Sequence, residues 1–476
     1  MQLKILNQDT LAQKIKFGTD GWRAIIADEF TVENVARVAI ATGNWTKQHY
    51  EKPSIVIGHD CRFAGELFVE TAVKVFLSQG IQVKMSKGFV STPMISLAAN
   101  QFNCGIGVVI TASHNPPAYS GYKLKSENGG PTPPSQIAEV EKFIPDHDVA
   151  VTGDLAELEK SGMLRYVDLE QDYIDYLYNK FNIAALADSR FQLAYDAMFG
   201  AGQNVMRRLF PKAVLLHCER NPLFNNTPPE PLHKNLLELS ETIAKTPELK
   251  FGLANDGDAD RIALYDEDGT YVDSHHIILL LIHYLFKYKN MTGKVAIAAS
   301  TTLRVNKLCK IYGLECEVTP IGFKYISEIM NNEDVLVGGE ESGGISIKGH
   351  IPERDGIYDG LVLWEFVHQT GKSLKELCQE IYDIVGKFFY HRDDLLLKEE
   401  QKLHAVEVCK NGIDAFGNFK VTDTLTIDGF KYMLENDCWC MVRASGTEPV
   451  LRIYAEGNNQ EECMQIIAAV KTKLGL

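Results

Sequence analysis

The chain has 476 residues, more than one hydrophobic core supports, so its length implies three or four domains. Hydrophobic residues make up 45% and charged residues 23%, an ordinary globular balance, and 48 Lys and Arg against 63 Asp and Glu leave a net charge of −15. No Lys/Arg run stands out, which argues against nucleic acid or an anionic membrane as partner, and no apolar run reaches 18 residues. The ten cysteines include no Cys-x-x-Cys pair, and Cys438-Trp439-Cys440 falls in a strand-like run. They read as buried thiols, and with no apolar signal segment after Met1 the expected location is the cytoplasm.

In chain order, Phe17-Gly18-Thr19-Asp20-Gly21-Trp22-Arg23 is a glycine-punctuated loop carrying one arginine, ordinarily a solvated charge. A helix is expected over 31–48, a strand over 54–58, a helix over 64–79 closed by Gly80, and a strand over 81–85. The same strand–loop–helix–strand unit recurs at 192–216, through Gly200-Ala201-Gly202, and again at 295–319. Three such units imply three similar α/β domains in tandem. Residues 126–160, rich in Gly, Pro and acids, read as the end of the first, and the turn 266–269 lies near the second seam. Helices near 356–368 and 373–385 close the third unit, and from about 388 the chain is strand-rich with a final helix near 460–473, an α+β tail.

Four loops carry chemistry. The apolar run 106–110 reads as a buried strand that ends in Thr111-Ala112-Ser113-His114-Asn115-Pro116, so a hydroxyl nucleophile sits where a strand gives way to a turn. Alone, Ser113 is a turn former; no Gly-x-Ser-x-Gly elbow is present, and in an extended segment His114 would point away from it. Gly121-Tyr122-Lys123 follows, placing Lys123 within loop reach of Ser113. In Asn255-Asp256-Gly257-Asp258-Ala259-Asp260-Arg261, three carboxylates at alternate positions can converge on one hard cation, with Arg261 beside it for an anion. A purely structural acidic turn is the plainer alternative, and an EF-hand fails because Arg261 occupies its glycine position. Gly338-Gly339-Glu340-Glu341-Ser342-Gly343-Gly344 presents Glu340 and Ser342, a carboxylate and a hydroxyl suited to sugar hydroxyls, although a plain glycine turn fits it equally. Arg443-Ala444-Ser445-Gly446-Thr447-Glu448-Pro449 joins two strand-like flanks and supplies the groups of a phosphate cradle, with Arg452 just beyond.

In this order, the four loops resemble the signature of the α-D-phosphohexomutase superfamily, over essentially the whole chain. The resemblance implies three tandem mixed α/β domains plus a C-terminal α+β domain around a central cleft. The expected limits are 1–155 with a phosphoserine loop, 156–268 with a metal loop, 269–386 with a sugar loop and 387–476 with a phosphate loop. It further implies that Ser113 carries the transferable phosphoryl group and joins Asp256, Asp258 and Asp260 in holding Mg²⁺. Lys123, Arg23 and His114 become the electrostatic and proton-transfer groups, Lys123 the candidate acid/base. Arg261, Lys324, Glu340, Ser342, His350, Arg443, Ser445, Gly446, Thr447 and Arg452 become substrate contacts. The implied reaction interconverts hexose 1- and 6-phosphates through a hexose 1,6-bisphosphate, with glucose 1,6-bisphosphate as activator and intermediate. The enzyme would act as a monomer or small homo-oligomer. Gly322-Phe323-Lys324 and the stretch from Gly349-His350-Ile351 to Arg354-Asp355-Gly356 look like phosphoglucomutases, which favours glucose. Phosphomannomutase or dual specificity, phosphoglucosamine mutase and glucose-1,6-bisphosphate synthase stand as alternatives. A non-catalytic sensor would be expected to lack Ser113 or an aspartate of the triad.

Overall fold

A computed structural model describes residues 14–147, 155–160, 162–445 and 450–476. The β-branched run Ile106–Ile110 is a fully buried strand at the middle of a six-stranded sheet. It lies parallel to Ser54–His59 and antiparallel to Tyr119–Ser126. Helices Val32–His49 and Gly65–Ser78 cover the sheet with an apolar core that includes Trp22, Phe30, Trp45 and Phe76. Thr31 caps the first of these helices by accepting from Asn34 N–H. Gly80, at φ +78°, follows the second in the left-handed conformation that ends helices.

Lys123 lies within a strand, not on a loop, in register with Val109. Alternation then sends Tyr122 and Leu124 into the apolar core, and Lys123 and Lys125 to the opposite face. The first sheet also takes its last strand, Leu164–Val167, from beyond the seam expected at residue 155, because that strand pairs with Gln82–Ser86.

The expected repeat is present three times. Ser54–His59 with Gln82–Ser86, Gln192–Asp196 with Val214–Leu216, and Lys294–Ala298 with Cys316–Thr319 are parallel pairs, each joined through a helix. In the second sheet Leu249–Asn255 turns back antiparallel into Ile262–Tyr265, so residues 256–261 form the loop of a hairpin.

Contacts gather the chain into two units. One comprises the residues up to Val272 with Gly344–Thr370, the other Asp273–Gly343 with Gly371–Leu476. The helix expected near 356–368 is present as Gly356–Thr370. Gly356–Thr370 packs on the second sheet, with Trp364 5.2 Å from Phe251 and its indole donating to Leu186 C=O. Its first residue must be small, since a Cβ on Gly356 would sit 2.2 Å from Arg261 O.

In the other unit, Cys316–Thr319, Lys294–Ala298 and Val335–Gly339 pair in parallel. The tail is a six-stranded sheet whose neighbouring strands run antiparallel, with helices Glu399–Lys410 and Gln460–Leu474. It docks on the third α/β layer through Ala299, Trp439, Met441 and Tyr454, and Lys431 Nζ donates to the carbonyls of Ala299 and Thr301. None of the ten cysteines is in a disulfide. Among the described residues no helix is long and apolar enough to cross a membrane.

His275 in this unit is wholly buried; its Nδ1 accepts from Thr302 N–H at 3.2 Å and Nε2 has no hydrogen-bond partner. Burial lowers its pKa to about 4, below the unfolded value, so the unfolded chain takes up a proton first as pH falls. Its contribution to stability is present above about pH 6.5 and is lost towards pH 4, by up to about 1.4 kcal/mol per pH unit. In urea titrations the stability gap between wild type and His275→Asn is expected to narrow over that interval; a constant gap would contradict the assignment.

Candidate active site

At the end of Ile106–Ile110 the chain reverses through Ser113, which takes the left-handed φ of +53°. Thr111 Oγ1 accepts from Ser113 N–H at 2.9 Å and donates to Asp60 at 2.5 Å. The buried Arg62 guanidinium holds the loop from beneath, donating to the carbonyls of Ser113 and Asn115 at 2.6 Å and of Pro116 and Tyr119 at 2.9 Å. Asp60 pairs with Arg62 at 3.3 Å; burial pushes its pKa up to about 6 against the pull of that arginine and of the Thr111 hydroxyl. The Ser113 hydroxyl donates to Asp256 at 2.9 Å.

The left-handed turn also overturns the expectation that His114 points away. Its Nδ1 lies 3.4 Å from Ser113 Oγ, because the segment is not extended. Burial, with Arg261, Arg23 and Lys123 nearby, holds this imidazole well below its ordinary pKa.

Asp256, Asp258 and Asp260 are fully buried and present oxygens within 4.8 Å of one another. The left-handed Ala259 curls the loop, and Asp256 Oδ1 accepts from the backbone N–H groups of Asp260 and Arg261. Gly257 is needed for the approach of the two loops, since a Cβ there would meet Ser113 O at 2.6 Å. Asp258 accepts from Thr92 Oγ1 at 2.5 Å and from Lys123 at 2.8 Å. Asp260 meets Lys123 at 3.2 Å and Arg354 at 2.6 Å, and Asp20 also binds both cations, at 2.9 and 2.6 Å.

Burial and the charges of Asp260 and Asp258 drive the Asp256 carboxyl well above the usual range. Burial is the largest influence on Asp258 and penalises its charge, but the Lys123 ammonium, the Thr92 hydroxyl and Arg354 together outweigh it and pull that carboxyl down. Lys123, buried among Asp20, Asp258 and Asp260, is held protonated despite its desolvation. Asp258 Oδ1 and Asp260 Oδ1 are buried without hydrogen-bond partners. A set of hard oxygen donors with two unspent acceptors fits a divalent cation, and the plain acidic turn does not explain why those acceptors are unspent.

Two more of the expected cations, Arg23 and Arg261, lie in the same unit. Arg23 donates to Asn115 Oδ1 at 2.6 Å, and Arg261, 11% exposed, reaches Glu230 at 3.5 Å.

In the second unit Glu340 is buried and accepts from Gly322 N–H at 2.8 Å, while Ser342 is half-buried in the following turn. Lys324 stands in the first turn of helix Phe323–Asn332, its ammonium 5.1 Å from the Tyr325 ring. Arg443 lies near the end of strand Trp439–Ala444 and donates to Asp428 at 3.0 Å. Arg452, its register partner on the next strand, meets Asp394 at 3.4 Å. The buried Ser445 donates its N–H to Val450 O, and Gly446 and Thr447 lie outside the described residues.

His350 is corrected as a substrate contact. One ring nitrogen meets Tyr176 and the other Asp355, both at 2.9 Å, the ring stacks on Tyr358, and the side chain is 1% exposed. Residues that pattern did not single out are Asp20, Arg62, Thr92, Arg354 and Asp428. Asp20 and Arg354 sit inside stretches already noted, whereas Arg62, Thr92 and Asp428 act on loops distant in sequence and carry no local signature.

The family described as "Phosphoglucomutase/phosphomannomutase" matches in all four of its parts: alpha/beta/alpha domain I at residues 14–149, domain II at 171–269, domain III at 273–385 and the C-terminal domain at 395–473. The chain belongs to the α-D-phosphohexomutase superfamily. It is 30% identical to a phosphoglucomutase/phosphomannomutase of Thermococcus kodakarensis, over 95% of this chain and 96% of that one. A phosphoglucosamine/phosphogalactosamine mutase of Sulfurisphaera tokodaii is 28% identical over 96% and 98%. A Thermus thermophilus crystal structure described as a phosphomannomutase superposes with a TM-score of 0.85 at 30% identity, over 98% of this chain and all of that one. This phosphohexomutase is thus an isomerase of the mutase type.

Because Arg62 makes four carbonyl bonds and neutralises Asp60, Arg62→Lys is expected to lower the unfolding free energy by about 3 kcal/mol and to slow turnover. Urea unfolding alongside an activity assay checks this, and an unchanged midpoint and rate would contradict it.

Proposed function

We propose that this phosphohexomutase interconverts hexose 1-phosphate and hexose 6-phosphate through a phosphorylated Ser113, with glucose as its preferred hexose and mannose as the second. The observation that carries the reading is the Ser113 hydroxyl, 2.9 Å from the first aspartate of a buried triad whose other members keep unspent oxygens. Asp256, Asp258 and Asp260 would hold Mg²⁺ with an oxygen of the phosphoserine, and the ion would supply neutralising charge to the phosphoryl oxygens. Phosphoserine brings about −2 and the triad −3, so Arg23, Lys123 and Arg261 are required for a second anion to approach.

Phosphoryl transfer is mostly positioning and charge neutralisation. The P–O bond to Ser113 Oγ breaks as a bond forms from phosphorus to the oxygen of the free hydroxyl of the sugar phosphate, and the proton of that hydroxyl ends on Ser113 Oγ, giving free serine and a hexose 1,6-bisphosphate. After reorientation the other phosphate returns to Ser113. Glu340 and Ser342 read sugar hydroxyls, while Arg443, Ser445, Gly446 and Thr447 grip the phosphate that is not reacting, supported by Arg452. With His350 internal, the preference for glucose rests on the Gly322-Phe323-Lys324 stretch. Ten cysteines outside any disulfide suit a reducing cytoplasm.

The test is a coupled assay with Mg²⁺ and trace glucose 1,6-bisphosphate, comparing the 1-phosphates of glucose, mannose and glucosamine. Preferential turnover of glucose 1-phosphate is expected, abolished by Ser113→Ala and cut about a hundredfold or more by Asp258→Asn. Full activity of Ser113→Ala would remove the phosphoserine; a glucosamine preference would overturn the hexose assignment. Phosphorylation of glucose 1-phosphate without mutase turnover would make it a bisphosphate synthase.

A further inference from the structure

Within the second unit, the proposed phosphate grip and the sugar-reading carboxylate are joined by three hydrogen bonds in series. Asp428 stands in the turn between strands Phe419–Leu425 and Phe430–Leu434. Its Oδ1 accepts from Arg443 Nε at 3.0 Å and its Oδ2 from Ile321 N–H at 3.0 Å. The next amide along the chain, Gly322 N–H, donates to Glu340 Oε1 at 2.8 Å. One carboxylate therefore ties the C-terminal domain's arginine to the Ile321 amide, and the adjoining Gly322 amide holds the carboxylate of the sugar loop.

The turn that carries Asp428 is itself fixed. Gly429 has φ +87°, and a Cβ there would lie 2.7 Å from Val442 O and 3.2 Å from Arg443 Cβ, so the turn is seated against the strand that bears Arg443. The sugar loop has a second tether, Glu341 to Arg392 at 2.8 Å. Gly322, at φ +132°, lets the chain present two successive N–H groups to two different carboxylates before helix Phe323–Asn332 begins.

We propose that Asp428 is a positioning residue that fixes the spacing between the phosphate-gripping Arg443 and the sugar-reading Glu340, so that both ends of one hexose phosphate are recognised as a single braced element. This rests on the mutase reading of Arg443 and Glu340. An aspartate suits the task because both of its oxygens only accept. Asparagine has nearly the same shape but must turn its NH₂ towards one of two donors, so it breaks one link without emptying the site.

The test compares wild type, Asp428→Asn, Arg443→Ala, Glu340→Gln and the double variants Asp428→Asn/Arg443→Ala and Asp428→Asn/Glu340→Gln. Asp428→Asn is expected to raise KM for glucose 1-phosphate about tenfold with an unchanged thermal midpoint. In the two double variants its effect should be largely absorbed, giving clear non-additivity with both partners. An unchanged KM, or effects that simply multiply, would overturn the inference. Calorimetric binding of glucose 6-phosphate to the same set needs no turnover. An inactive wild type would therefore sink the mutase reading, while the pattern of affinities still decides for or against the role of Asp428.

Discussion

Three carboxylates buried side by side repel one another strongly, and the first unit is arranged around cancelling that repulsion. The cancellation is supplied from distant parts of the chain. Lys123 comes from an inner face of the first sheet, Arg354 from the segment that returns after the sugar loop, and Thr92 from the start of a helix in the first domain. Removing one partner from such a set leaves an uncompensated buried charge, a penalty of roughly 3–5 kcal/mol. Through Arg354, which pairs with Asp260 and Asp20, the segment Gly344–Thr370 is drawn into the unit that holds the first two sheets. The same constraint explains the glycines where the loops meet, at Gly257 and Gly356, since the charges can be brought together only if backbones approach closely.

The net charge of −15 says little about the ligand in such a site. Short-range cations decide, and Arg23, Lys123 and Arg261 all lie near the serine loop in a chain that is acidic overall. The arginine beneath that loop works differently. Arg62 spends its guanidinium on main-chain carbonyls, so it sets the shape of the loop and leaves the anion to its neighbours.

Much of this was legible in the sequence because the chemistry is local. Aspartates two apart in one loop, a serine at a strand end and glycines flanking acids announce themselves in windows of seven residues. The repeated α/β unit was equally plain, since a buried parallel strand is a continuous β-branched run and its helix ends at a glycine. What stayed hidden depends on pairings between remote segments. Nothing near Leu164 says that it extends the first sheet, and nothing near Gly356 says that its helix places Trp364 against Phe251 of the second. The direction of His114 is not legible because a non-glycine residue at positive φ is uncommon and nothing in the sequence marks Ser113 as one. His350 resembled a ligand in its motif, yet Tyr176 and Asp355 occupy both of its nitrogens.

The central claim is that Ser113 holds a phosphoryl group during the reaction. The most direct measurement is peptide mass spectrometry of the Mg²⁺-loaded protein after brief exposure to glucose 1,6-bisphosphate, with and without a chase of excess glucose 1-phosphate. The account predicts one phosphoryl group on the peptide that contains Ser113, discharged by the chase. A protein that turns over sugar phosphates while that serine stays unmodified, or that carries the group on another residue, would contradict it.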